Sequence, residues 1–303
     1  MTKAMGLGAT RGGPDHAGGA RPMIRGRTSS LNAAFALFTM TLLRQVKSRR
    51  LLVLAALYGL PIAFAFLFRH YEVGWPEPGK KPVYGPTVAE LALIFNLIPQ
   101  TLLPLTALVF ASGMIQDEVE EQTITYLLIR PLPRWSIYLA KLLATLVVTI
   151  GLTAIGAALV YVAIGWNQPD YWASGALARV FKTIALFVLS LTAYHAVFGF
   201  LSLLMRRAIL LGIGYIILIE VVVANIDFVI RKVTVMYYFR VLCERWMHVS
   251  EMWKGPVAPV AYTGGPSMRD CLATVTIAIV VLVASACYLM NIREFRVKTP
   301  EGS

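Results

Sequence analysis

The sequence predicts an all-α integral membrane protein with six transmembrane helices. Apolar runs of about 20 residues, the length that crosses a bilayer, recur along the chain. Only 15% of its residues are charged and 57% are hydrophobic, with a mean hydropathy of +0.67. A soluble domain carries about 25% charged residues. The runs are continuous rather than alternating, so helices, not a closed barrel, are expected to satisfy the backbone in lipid.

Residues 1–30 are rich in Gly and Arg and read as a disordered cytoplasmic tail, with Met5 and Met23 as alternative starts. They lack the apolar core of about 7–15 residues that a signal peptide needs. Residues 31–303 form the transmembrane domain. Residues 31–50 are helical, with Ser29 or Ser30 as cap, and are too basic at their end to span. Leu31, Phe35, Phe38, Leu42 and Val46 recur at helical spacing, which predicts an interfacial helix along the cytoplasmic leaflet; an extension of the first span is the alternative. Six spans follow, at about 51–68, 88–115, 137–164, 180–205, 208–226 and 271–290. Pro61, Pro99 and Pro104 fall inside them and are expected to kink them.

The net charge is +12. In this chain the basic residues flank spans, where they report topology rather than a nucleic-acid surface. Lys47-Ser48-Arg49-Arg50 precedes span one, and Arg206-Arg207 alone separates spans four and five. Both termini are therefore predicted cytoplasmic. The outer side carries loops 69–87 and 165–179 and a long segment, 227–270, rich in aromatic residues such as Tyr237, Tyr238, Phe239 and Trp246. That segment reads either as re-entrant or interfacial helices or as a loop resting on the headgroups. Cys243 and Cys271 are both placed outside, where a disulfide between them is one option. No CxxC or HExxH spacing supports a metal site.

The segment 112–141 stands apart. Asp117, Glu118, Glu120 and Glu121 crowd one short run of an otherwise basic chain. They are read as opening a new helix after span two, where negative charge suits the N-terminus. Ile124, Leu127 and Leu128 share a face behind them, Arg130 suits the C-terminus, and Pro131 and Pro133 stop the helix before span three. Lys141, early in that span, is expected to snorkel to the headgroups. A solvated loop is the plain alternative.

The string Asp117-Glu118, Thr123, Leu127-Leu128-Ile129-Arg130-Pro131, Arg134 and Lys141 resembles the cytoplasmic loop of ABC-2 type transporter permeases. Gln122 and Ala140 depart from the glycines usual in that pattern. The resemblance implies six spans with both termini cytoplasmic, an N-terminal interfacial helix, a coupling helix between spans two and three, and outer re-entrant helices before the last span. It implies a permease subunit, with an exporter expected, in a bacterial plasma (inner) membrane. Its partners would be membrane lipids, a second permease copy or a related permease, and a separate ATP-binding subunit carrying ATP and Mg. Asp117, Glu118, Glu120, Glu121, Thr123, Leu127, Leu128, Arg130, Pro131 and Arg134 would meet that subunit. No cofactor is expected on this chain, because no GxxxxGK(S/T) loop occurs in it.

Ionisable residues inside spans are functional candidates by default. Glu220 lies about 9 Å in from the outer end of span five and Lys182 about 3 Å in from that of span four, at ~1.5 Å per residue. They are expected to pair, with a structural or a pathway role. His195 lies roughly 13 Å deeper than Glu220, too far to join them, and reads as a satisfied interior histidine. The competing functions are a channel or secondary transporter, which lacks support from internal repeats, and a lipid-processing enzyme, for which no catalytic constellation is visible.

Overall fold

A computed structural model describes residues 28–70, 86–120, 133–205, 207–225, 229–249 and 265–292. Among these residues the fold is helical throughout and contains no strand. Six helical segments are long and apolar enough to cross a membrane: Arg49–His70, Glu90–Met114, Arg134–Ile164, Ala176–Leu204, Ala208–Asn225 and Met268–Ile292. They match the six expected spans, with ends shifted by a few residues.

Helix α1 (Thr28–Val46) is separated from α2 (Arg49–His70, span one) by a break at Lys47-Ser48. It is thus a helix of its own, with Ser29 and Ser30 inside its first turn rather than ahead of it. It lies on the start of span three, where Leu37 packs with Ile137 and Ala140 and Phe38 flanks them. The expected single apolar face is only partly used: Phe35 is 70% exposed and Val46 49%. The helix is apolar on more than one side, so one side meets protein and another is left for lipid.

Span two is irregular. After a short α3 (Pro86–Ala89), residues Glu90–Leu102 form a π-helix, and α4 (Leu103–Glu120) restores α geometry. Pro99 lies inside the π segment and Pro104 at the second residue of α4, so both fall where the register is unusual. Pro99 cannot donate to a helical ladder, which favours a local change of register there. Pro61 instead sits inside an uninterrupted α2.

Span three is α5 (Arg134–Ile164), followed by the short α6 (Pro169–Ala173) and by span four, α7 (Ala176–Leu204). Span five joins α8 (Ala208–Tyr215) to a second π segment (Ile216–Val222) and a 3-10 turn (Val223–Asn225). A 3-10 turn (Val229–Val233) leads to α9 (Val235–Met247), and span six is α10 (Met268–Ile292). In α9, Met236, Tyr237, Phe239, Val241, Leu242, Cys243 and Met247 are buried. Within the aromatic segment, the described residues Val235–Met247 therefore form a helix packed into the bundle. Cys243, Cys271 and Cys287 are free thiols.

The spans approach closely where one side is glycine. A Cβ on Gly156 of span three would sit 2.5 Å from Tyr58 Cδ1 of span one, and one on Gly212 of span five would run into Leu108 Cδ1 of span two. In lipid, where apolar side chains gain little by leaving the solvent, such backbone approach is a main source of helix–helix packing.

Candidate functional site

Two ends of the bundle can be told apart by contacts alone. Arg134 begins span three, and Met114 lies towards the far end of span two. Lys141 Nζ donates to Met114 O at 3.2 Å, which joins these ends. Lys141 is only 2% exposed. The expected snorkelling is thus corrected: the side chain turns inward because a backbone carbonyl offers it an acceptor within the protein. A water-soluble amine reagent should accordingly modify Lys47, which is exposed, and spare Lys141 in the folded chain, as peptide mapping would read.

The helix of α4 runs without interruption from Leu103 to Glu120, so the backbone of Asp117, Glu118 and Glu120 continues span two. The expectation that these acids open a new helix is corrected: no proline or other breaker separates them from the span. Glu121, Thr123, Leu127, Leu128, Arg130 and Pro131 lie outside the described residues. Pro133 is extended (φ −65°, ψ 137°) and precedes the first turn of span three, with Ser136 Oγ donating to its carbonyl at 2.8 Å. Arg134 is exposed at the first position of that helix. Ala140, where the resemblance has glycine, is the small residue that receives Leu37 of α1.

At the opposite end, Glu90 opens the π segment of span two and is fully buried. Its carboxylate accepts from Tyr171 Oη of α6 and from Arg179 Nε of span four, each at 3.1 Å. The Arg179 guanidinium also lies over the Tyr171 ring, 5.3 Å from its centroid. Burial, reinforced by the adjacent Glu90, pushes the Tyr171 hydroxyl pKa up, so it remains a donor. Sequence reasoning overlooked this cluster. An acid inside an apolar run was the available signal, but its partners lie 81 and 89 residues away in the chain.

The expected Lys182–Glu220 pair is not formed. Glu220, inside the second π segment, accepts from Tyr215 Oη at 3.1 Å and from the backbone N–H groups of Val235 and Met236 at 3.2 Å each. Those are the first two N–H groups of α9, which no helical carbonyl can reach. Thr234 Oγ1 takes the third, from Tyr237, at 3.1 Å. Lys182 Nζ donates to Trp246 O at 3.4 Å, near the other end of the same helix. The two charges therefore sit at opposite poles of α9, anion at the N-terminus and cation at the C-terminus, where its dipole favours each. Satisfying orphan backbone groups outweighs a direct pair in this setting.

Two further contacts bind α9. Arg240 donates from Nη1 to Asn225 Oδ1 at 3.0 Å and from Nη2 to Gln100 Oε1, in the first π segment, at 3.4 Å. His195 stands apart, as expected: Nδ1 donates to Leu191 O at 2.9 Å, and Nε2 faces Thr149 Oγ1 at 3.3 Å. It is an interior histidine with both ring nitrogens engaged.

Six spans, a separate N-terminal helix packed on span three, and a buried helix between spans five and six define a multi-pass membrane protein. The family described as ABC-2 family transporter protein matches residues 36–290, and the chain belongs to that family. A search among curated proteins finds no match. As a family member the chain is a transport component, not itself catalytic, of the kind that works with ABC ATP-binding subunits.

Proposed function

We propose that this chain is the permease subunit of an ATP-driven exporter of the plasma membrane. Both of its termini are cytoplasmic, and the pathway is built with a second copy or a related permease. A separate subunit binds ATP and Mg and docks on residues 116–134. One observation carries this reading: the backbone of Asp117, Glu118 and Glu120 continues the helix of span two, and Arg134 opens span three at the same end of the bundle. A push on that segment acts on two rigid spans at once. The basic runs at 47–50 and 206–207 support a cytoplasmic face at this end.

The test is purification with an ATP-binding partner after Glu118→Lys, Glu120→Lys and Glu121→Lys are combined. Co-purification should fall, and residual ATP hydrolysis should no longer track transport. Wild-type complex yield together with coupled activity would overturn the assignment of residues 116–134.

A further inference from the structure

Spans two and five each carry a π segment, Glu90–Leu102 and Ile216–Val222, and one helix touches both through polar side chains. π segments are rare, usually single turns, and convert to α-helix by a one-residue shift of register. Glu220 sits within the second π segment and holds the N-terminus of α9 by two backbone bonds. Arg240, near the middle of α9, reaches Gln100 in the first π segment and Asn225 at the end of span five. Lys182 of span four holds the carbonyl of Trp246 near the C-terminus of α9. The apolar side of α9 seals the arrangement: Phe239 packs on Phe187 of span four at 5.7 Å between ring centroids.

We propose that α9 is a strap that ties the register of span two to that of span five, with Glu220 and Arg240 as its positioning residues. Loss of Glu220 leaves the buried Met236 N–H without its acceptor, and loss of Arg240 removes the side-chain bridge from α9 to Gln100 and Asn225. Removing Glu220 frees the N-terminus of α9, which lets Arg240 withdraw from Gln100. The first π segment then loses a restraint although no atom of it bonds Glu220. Coupling of this kind moves through a rigid helix with side-chain anchors at its N-terminus and near its middle, not through a continuous chain of hydrogen bonds. The inference goes beyond the transport reading, since it concerns how three spans of one chain hold each other.

Hydrogen exchange by mass spectrometry on the full chain in lipid nanodiscs tests it. Glu220→Ala should speed exchange about tenfold or more at residues 235–237 and also across 96–103, remote from the substitution. Arg240→Met should do the reciprocal, loosening 216–223. Glu220→Gln, which keeps shape and one good acceptor, serves where the alanine variant does not fold, and should give the same pattern at smaller amplitude. Faster exchange confined to 235–247, with the two π segments at wild-type rates in both the Glu220 and Arg240 variants, would overturn the proposal and leave α9 as a docked helix only.

Discussion

Arg179→Leu is expected to destabilise the chain by about 3–5 kcal/mol, in the lower part of that range because Arg179 keeps 18% of its side chain exposed. The reason is asymmetry. Glu90 has no exposure of its own, and it holds Arg179 Nε at 3.1 Å. Removing the cation leaves a buried carboxylate with only neutral tyrosine hydroxyls, Tyr171 and Tyr161, among its described side-chain partners. It also removes the guanidinium from the Tyr171 ring and from the Ser174 carbonyl. Glu90→Gln should cost much less, because the amide oxygen still accepts and the guanidinium left behind is part-exposed and keeps the Ser174 carbonyl. The double variant Glu90→Gln, Arg179→Leu should recover most of the loss. Thermal melts in one detergent compare the three. An Arg179→Leu protein that melts with wild type would show that the pair contributes nothing to this end of the bundle.

Gly156→Val is the second large effect expected. The new side chain would start 2.5 Å from Tyr58 Cδ1, a contact that no real Cβ makes. Tyr58 cannot swing aside cheaply. Its hydroxyl bonds Thr153 Oγ1 at 3.0 Å and accepts from Thr106 Oγ1 at 3.4 Å, so the ring is held between spans one, two and three. Overpacking of this kind costs typically about 1–3 kcal/mol, and displacing the hydroxyl adds a desolvation penalty of about 1–3 kcal/mol. Trimming the ring should help: in the pair Gly156→Val, Tyr58→Leu the losses should be clearly less than additive. Strict additivity in a double-mutant cycle would show that the two residues do not meet.

Much of the architecture was legible before any coordinates. Lipid forbids unpaired backbone groups, so apolar length alone located six helices to within a few residues. The break after α1 falls at Lys47-Ser48, in the basic run that precedes the first apolar stretch. The family resemblance was readable from the order of acids, leucines, prolines and arginines around residues 117–134.

What resisted reading was pairing. Glu220 and Lys182 were expected to pair, yet they serve the two ends of α9 rather than each other. Depth along a helix constrains how far in a residue lies but says nothing of its azimuth or of a third element between. Lys141 turned inward for the same reason: snorkelling follows from distance to the headgroups, whereas the Met114 carbonyl is supplied by a neighbouring helix. Glu90 was passed over because its partners come from α6 and span four.

The amino-acid sequence by itself determined the number of spans and their order, because those depend on local hydropathy, charge and helix punctuation. Only the tertiary structure decided which buried charge answers which helix end, that spans two and five carry π segments, and that α9 binds both. Those outcomes depend on donors and acceptors brought together from distant parts of the chain. In a medium without water, each must find its partner inside the fold.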